Sequence, residues 1–472
     1  MTIELAELQL PEFGLPTVEP QIPAEEYATR IEDARKRMRR ARLDALIIYG
    51  DREHFANLAY LTGYDPRFEE SVGVLPREGK PTLVVGNEGV GYAALSPLDV
   101  TVALYQTFSL PGQPRDRLAP LWKLLRKAGV KPGARVGLVG WKHFERGPST
   151  GSGRGRASEV PAFILTEIEV AVAGGTISNA TTMLMNPRDG LRTRNSVHQL
   201  ARFEYAATLA SQMVRDAIFN LRVGMSEFDA VRAMRWSGWP LSCHLMLSAG
   251  ERARVGLASP SSRALQLGDP FTVAVGLWGG LTARAGFLVH DPSELPSQIQ
   301  DYVEKLAKPY FRAAAAWYET VGIGVTGGAL FAAVHRFVGK PFFGVNLNPG
   351  HLIHLDEWLH SPVARGSEIS LQSGMALQCD IIPATGGAYF TSNIEDGIAL
   401  ADDDLRGQFA SLYPEAWSRI QARRRFMQEA LGIRLKPEAL PFSNLCGYLP
   451  PFLLNPRRAM RVATGERGEM RE

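Results

Sequence analysis

Three of the chain's nine histidines crowd one segment, Gly350-His-Leu-Ile-His-Leu-Asp-Glu-Trp-Leu-His-Ser-Pro362. His351, His354, Asp356, Glu357 and His360 put five ionisable or metal-capable groups within ten residues. Imidazole changes charge near neutral pH, so it suits proton transfer as well as metal ligation. Two histidines three apart, His351 and His354, can meet on one face of a helical turn, as metal ligands or as an acid/base pair. The competing reading is a polar loop whose imidazoles bond to backbone. The density of the cluster favours function. Downstream, Asp380 lies in Gln378-Cys-Asp-Ile-Ile-Pro383 and Glu395 in Asn393-Ile-Glu-Asp-Gly-Ile-Ala-Leu400. A lone ionised carboxylate is costly in such apolar, strand-like surroundings unless it is paired. A turn at Gly386 and Gly387 would bring Asp380 alongside Glu395. Like charges at that spacing push one pKa upward, giving a proton-sharing pair, unless a cation neutralises them.

The elements that must hold these groups can be read from periodicity. Phe271 to Val275 and Met375 to Ile382 read as strands, and Ser196 to Leu221 as one long helix. Gly224-Met-Ser226 restarts a helix, with Ser226 as N-cap and Asp229 completing a capping box. Ile299 to Tyr318 and Leu330 to Val338 are helical, so this half is α+β, helices on mostly antiparallel strands. Upstream, Tyr27, Ile31, Ala34, Met38 and Ala41 mark an amphipathic helix whose basic run, Arg35 to Arg42, is a solvated face. A buried strand (Ala45 to Tyr49), a hairpin (Val72 to Leu75, Thr82 to Val85), a helix (Leu118 to Ala128) and a strand (Arg135 to Val139) follow, an α/β pattern. Asn186-Pro187 and Gly190 mark the boundary, giving domains 1–187 and 188–472. The first thirty residues, punctuated by prolines, read as an arm lying on a neighbour. Gly147 to Ser158 reads as a surface loop, because no strand followed by GK[ST] frames it as a phosphate loop.

Composition narrows the function classes. With 52 Lys+Arg against 49 Asp+Glu, the formal charge is only +3, which argues against a nucleic-acid-binding protein. Three cysteines, Cys243, Cys379 and Cys446, exclude a disulfide framework, and no CxxC pair suggests a structural zinc. No apolar stretch is long enough to span a membrane, and MTIELAELQL lacks the pattern of a signal peptide. The expectation is a cytoplasmic, soluble, multi-domain protein.

The stretch from Leu43 through Leu61-Thr-Gly-Tyr64 resembles the N-terminal domain of the creatinase and Xaa-Pro peptidase (prolidase, aminopeptidase P) proteins. Further motifs resemble that family in the same order. Leu191 to Ala217 looks like its opening helix, and Gly268-Asp269 like the start of its first ligand-bearing strand. Gly350-His351 with Leu355-Asp356, Ser373-Gly-Met375 to Pro383, and Ile394-Glu-Asp396 look like its later ligand segments. The resemblance implies a pita-bread C-terminal domain, a smaller α/β N-terminal domain, and a homodimer. In that dimer, Tyr64-Asp-Pro-Arg67 and Phe68-Glu-Glu70 would approach the partner's active site.

A metallopeptidase of that family holds two divalent cations with two Asp, one His and two Glu. Here the His position is matched by His351 and the last Glu by Glu395, while Asp380 stands at the other Glu position. The first Asp position falls on Ala274 and the second on Arg284 or Ala285; an Arg there would repel a cation. The family's second His falls on Trp358, and the His that creatinase resemblance would make catalytic falls near Leu257. These departures make a two-metal Xaa-Pro peptidase improbable. The remaining set suits metal-independent acid/base chemistry on a small amide, guanidino or amino-acid-derived molecule, as creatinase resemblance implies. His351, Asp380 and Glu395 would be catalytic, and His354, Arg284, Trp278, Asp356 and Glu357 substrate-binding. Arg284 would clamp a carboxylate, and Trp278, beside Gly276, Gly279 and Gly280, would stack a planar or cationic group. No cofactor is expected. The alternatives are a hydrolase with a single divalent cation on His351, Asp380 and Glu395, and a non-catalytic binding homologue.

Overall fold

The computed structural model describes residues 2–66, 68–144 and 158–463. The expected surface loop 147–158 therefore lies outside the described residues, apart from Ser158. The chain divides into two compact units, residues 22–193 and residues 1–21 with 194–472. The break follows residue 193, later than the 187 expected, because the chain is still tied back there. The amides of Leu191 and Arg192 donate to the carbonyls of Met183 (2.9 Å) and Leu184 (3.0 Å).

The opening segment differs from the expected arm. Ile3–Glu7 (β1) pairs antiparallel with Arg458–Val462 (β15) of its own chain, Ile3 opposite Val462 and Glu7 opposite Arg458. Ile3, Leu8, Leu10 and Phe13 are buried, so these residues belong to the core of the C-terminal unit.

The unit 22–193 carries one mixed sheet. Its strands are Ala45–Gly50 (β2), Ser71–Pro76 (β3), Thr82–Val85 (β4), Thr101–Leu104 (β5), Arg135–Val139 (β6) and Thr176–Asn179 (β7). They lie in the order β5-β4-β3-β2-β6-β7. β2 and β3, like β3 and β4, run antiparallel, while β6 joins β2 in parallel. Helix Ala24–Ala41 buries Tyr27, Ile31, Ala34 and Met38, four of the five positions its spacing predicts, while Ala41 and most of its basic residues stay outside. The core forms between the sheet and helices 121–127 and 162–172, where Ile47, Val84, Leu125, Leu138 and Ile168 are buried.

The C-terminal unit holds the candidate site. Its sheet comprises Met246–Ala249 (β8), Pro270–Leu277 (β9), Gly280–Phe287 (β10), His351–Leu352 (β11), Ala376–Ile381 (β12), Asn393–Leu400 (β13) and Ala439–Pro441 (β14). The order is β11-β12-β13-β10-β9-β8, with β14 also on β13, and the pairings are antiparallel. Such a sheet can bury both faces only if helices cover it. Helix Val197–Phe219 does so, with 17 of its 23 residues buried, and Ser196 caps it by accepting the Gln199 N–H. At Gly280 an added Cβ would come within 2.6 Å of the Ala207 Cα, so glycine lets this helix lie close against β10. Helix Glu227–Ala233 opens on the Ser226–Asp229 capping box that its sequence specifies. Where one helix was expected over 299–318, a π-turn at Val303–Ala307 leads into Lys308–Thr320. Pro309 supplies the reason, since it has no N–H for the helical ladder. No helix among the described residues is long and apolar enough to cross a membrane.

A buried ion network fixes the long helix to helix Pro414–Glu429. Glu204 is bound by Arg419 (Nη2 to Oε2, 2.6 Å) and by Arg423 (Nη1 to Oε1, 2.8 Å). Burial alone would raise the Glu204 carboxyl, but the two guanidinium groups outweigh it and hold the group below its ordinary value.

Candidate active site

Asp380 on β12 and Glu395 on β13 are directly opposite each other in the antiparallel register. Paired residues on one face have Cβ atoms about 4.5–5.5 Å apart. The two residues are 4% and 6% exposed, so neither carboxyl is hydrated as it would be in water. His351 approaches the pair from β11, where it stands opposite Gln378, and is fully buried. Its Nε2 lies 3.6 Å from a Glu395 oxygen and 3.1 Å from a Glu357 oxygen. Its Nδ1 lies 3.2 Å from the Leu352 carbonyl, which suits Nδ1–H as the donor and leaves Nε2 to face the carboxylates.

The histidine segment is not a helical turn. Leu352 donates to the His360 carbonyl (2.7 Å), and Leu359 donates to the Leu352 carbonyl (2.9 Å), so the chain doubles back on itself. The extended backbone of 351–352 separates His351 from His354. The buried His354 ring packs edge-on against Phe203, centroids 5.1 Å apart. The returning limb brings Glu357 to His351 and stacks Trp358 on its imidazole, at 4.1 Å and 19°. Asp356 is half-buried and uses its carbonyl to accept the His354 N–H at 3.1 Å.

Strand alternation decides the remaining neighbours. Ala283 stands between Glu395 on one side and Ala274 on the other. Ala285 shares the face of Ala283, because side chains two apart along a strand point the same way. Ala274, Leu281 and Ala283 form an apolar wall with Cys243 and Met246 packed against it. Arg284 points to the opposite face. Its guanidinium pairs with Asp396 at 2.7 Å and donates to the carbonyls of Tyr448 (2.7 Å) and Leu445 (2.8 Å). The expectation that Arg284 clamps a substrate or repels a cation at the site is therefore corrected: the residue is fully buried and its donors are engaged elsewhere. Trp278 lies in the turn between β9 and β10, four residues beyond Ala274, and its backbone bonds Pro240 (3.0 Å) and Trp239 (3.4 Å).

The electrostatics follow from burial. Desolvation raises Asp380, opposed by the His351 charge and assisted by Glu357, leaving it at about 6. Desolvation, then the neighbouring Asp380 charge, push Glu395 well above the usual carboxylate range. Burial works against a charged His351, but Glu357 first, then Glu395 and Asp380, hold its proton well above the ordinary value. His351 thus keeps its proton to higher pH than a free imidazole, and Asp380 and Glu395 keep theirs to higher pH than free carboxyls. Asp380 Oδ1 is buried without a hydrogen-bond partner among the described residues. A group of that kind is ordinarily satisfied by a donor or an ion.

Two cations, as the resemblance implies, do not fit this face, since Ala274, Ala283 and Ala285 offer no ligand atom. One would fit: ligand atoms of His351, Asp380 and Glu395 lie within 4.8 Å of one another. Two contributors were missed at the level of sequence. The Trp358 stack depends on the turn that joins Leu352 to His360, which the residue types alone do not specify. The separation of Asp396 from Glu395 was available from period-two alternation along Asn393–Leu400.

Residues 30–144 match the family model of the Creatinase/Prolidase N-terminal domain. No curated protein sequence shows significant similarity to the chain. Among solved structures, the dipeptidase PepE from Mycobacterium ulcerans is similar at 20% identity, with a TM-score of 0.58 over 81% of this chain and 95% of that one. The prolidase from Pyrococcus horikoshii OT3 is similar at 16% identity, with a TM-score of 0.60 over 79% and 95%. The X-Pro aminopeptidase from Thermotoga maritima MSB8 is similar at 14% identity, with a TM-score of 0.59 over 79% and 95%. These likenesses establish the α+β pita-bread fold with its α/β N-terminal domain. In that domain and in its fold, the chain resembles the creatinase and Xaa-Pro peptidase proteins.

Proposed function

We propose that this protein hydrolyses a C–N bond of a small amide, guanidino or amino-acid-derived substrate, by acid/base chemistry that needs no second metal ion. One observation carries the reading: His351 Nε2 lies 3.1 Å from Glu357 and 3.6 Å from Glu395, on a sheet face where Ala274, Leu281 and Ala283 form an apolar wall. Hydrolysis adds water across the bond. Asp380, ionised at neutral pH, takes a proton from water as its oxygen bonds to the carbon. The imidazolium of His351 gives its proton to the departing nitrogen. Glu395, whose proton burial and the Asp380 charge retain to higher pH than in a free carboxyl, donates to the oxygen or nitrogen that gains charge, and Glu357 stabilises the imidazolium. The acidic character favours a cationic or hydrogen-donating substrate, since carboxylates accept paired N–H groups well. The names of the similar structures, a dipeptidase, a prolidase and an X-Pro aminopeptidase, support C–N hydrolysis as the reaction class.

A second reading is favoured by the convergence of three ligand atoms within 4.8 Å. His351, Asp380 and Glu395 would hold a single divalent cation, which would supply Lewis acidity and activate water. Elemental analysis with a chelator-treated activity screen separates the two. The expected result is well under one equivalent of tightly bound transition metal and turnover that survives chelation. One equivalent with chelator-sensitive turnover selects the second reading, and two equivalents of manganese, cobalt or zinc overturn both.

A further inference from the structure

The N-terminal unit contains a cavity of about 220 Å³ that includes none of the residues assigned to the proposed reaction, lined by Tyr64, Phe68, Glu69, Glu88, Gly89 and Tyr92. Among the described residues that line it, three of six are aromatic, two are carboxylates and none is basic. The Tyr64 and Tyr92 rings meet at 63° with centroids 5.7 Å apart, so they form two inclined walls. Tyr64 is buried, and the Tyr92 hydroxyl donates to Asp65 Oδ1 at 2.7 Å, which fixes its ring. Phe68 is 75% exposed at the rim.

Glu69 supplies an independent indication. It is 5% exposed, and its Oε2 accepts the N–H groups of Glu88 (3.1 Å) and Gly89 (3.2 Å). Its Oε1 is buried with no hydrogen-bond partner among the described residues. A buried carboxylate oxygen without a donor is costly, and positive charge nearby would offset that cost. Aromatic faces attract the same kind of ligand, because the ring quadrupole is negative on its faces. The volume is below that of a drug-sized site, and suits a head group rather than a large molecule.

We infer that this cavity binds a small organic cation of the alkylammonium class, held against Tyr64 and Tyr92 with Glu69 compensating its charge. The class follows from the combination: a metal ion would need several oxygen ligands, whereas this lining offers mostly ring carbon. The test uses the full chain and two probes of similar shape, tetramethylammonium and the uncharged tert-butanol, titrated by calorimetry and by ligand-observed NMR. Tetramethylammonium should bind in the millimolar range or tighter, and tert-butanol at least tenfold more weakly. Tyr92→Leu, which keeps an apolar side chain, should weaken tetramethylammonium at least tenfold, and Glu69→Gln several-fold. Tyr92→Phe, which keeps the ring, should bind within about threefold of the parent, and circular dichroism of each variant checks folding. Equal binding of the two probes, no binding of tetramethylammonium, or undiminished binding by a folded Tyr92→Leu variant would each overturn the assignment.

Discussion

Glu395 and Asp396 are neighbours in the chain that serve opposite faces of one strand: Glu395 meets His351, and Asp396 pairs with Arg284 at 2.7 Å. Asp396 also accepts from Ser443 Oγ (2.6 Å) and the Gly447 amide (2.9 Å), so its charge is satisfied without the site.

Arg284→Ala is therefore expected to act on stability. Removing one partner of a buried ion pair leaves the other charge uncompensated, at a cost of about 3–5 kcal/mol. Urea unfolding should show a large fall in midpoint, while KM in the surviving folded protein stays near the parent value. An unchanged midpoint with a raised KM would restore the substrate-clamp role.

His351→Ala should lower kcat by roughly two to four powers of ten, the range for a general acid–base group, and leave the far-ultraviolet spectrum unchanged. A screen of guanidino acids, N-acyl amino acids and Xaa-Pro dipeptides supplies the substrate. Full turnover by the variant would remove His351 from catalysis.

Glu357→Gln should move the pH–rate profile. Glu357 is the foremost of the groups that hold the His351 proton against the effect of burial. Without it the imidazole loses its proton at lower pH, so the alkaline limb of kcat shifts toward acid. A profile that only falls in height, with both limbs in place, would assign Glu357 to substrate contact alone.

The site should also make stability fall as pH rises. Asp380 is raised to about 6, so the folded protein binds its proton more tightly than the unfolded chain, whose carboxyl titrates near 3.9. The contribution is present in acid and is lost between about pH 4 and pH 6. His351, raised as well, adds a loss that begins above its unfolded value of about 6.5. Unfolding midpoints measured from pH 4 to pH 7 should fall less steeply in Asp380→Asn than in the parent. Superimposable slopes would contradict the raised carboxyl.

Much of this protein is legible in local sequence. The stripe Tyr27, Ile31, Ala34 and Met38 does become the buried face of a helix, and Ser226 with Asp229 does cap the next one. Both signals act over three or four residues, within reach of backbone geometry. The apolar context of Asp380 and Glu395 likewise implied paired strands, because an unpaired buried charge is costly. Tertiary structure decided the rest. That Ile3 pairs with Val462 and that Arg284 turns away from Glu395 depend on strand register, and that Glu357 returns to His351 depends on the turn that joins Leu352 to His360. A one-residue change of register exchanges the two faces of a sheet, and residue types near Arg284 fit either face. Only burial summed over the whole sheet selects between them, and that sum is not contained in any short stretch of the chain.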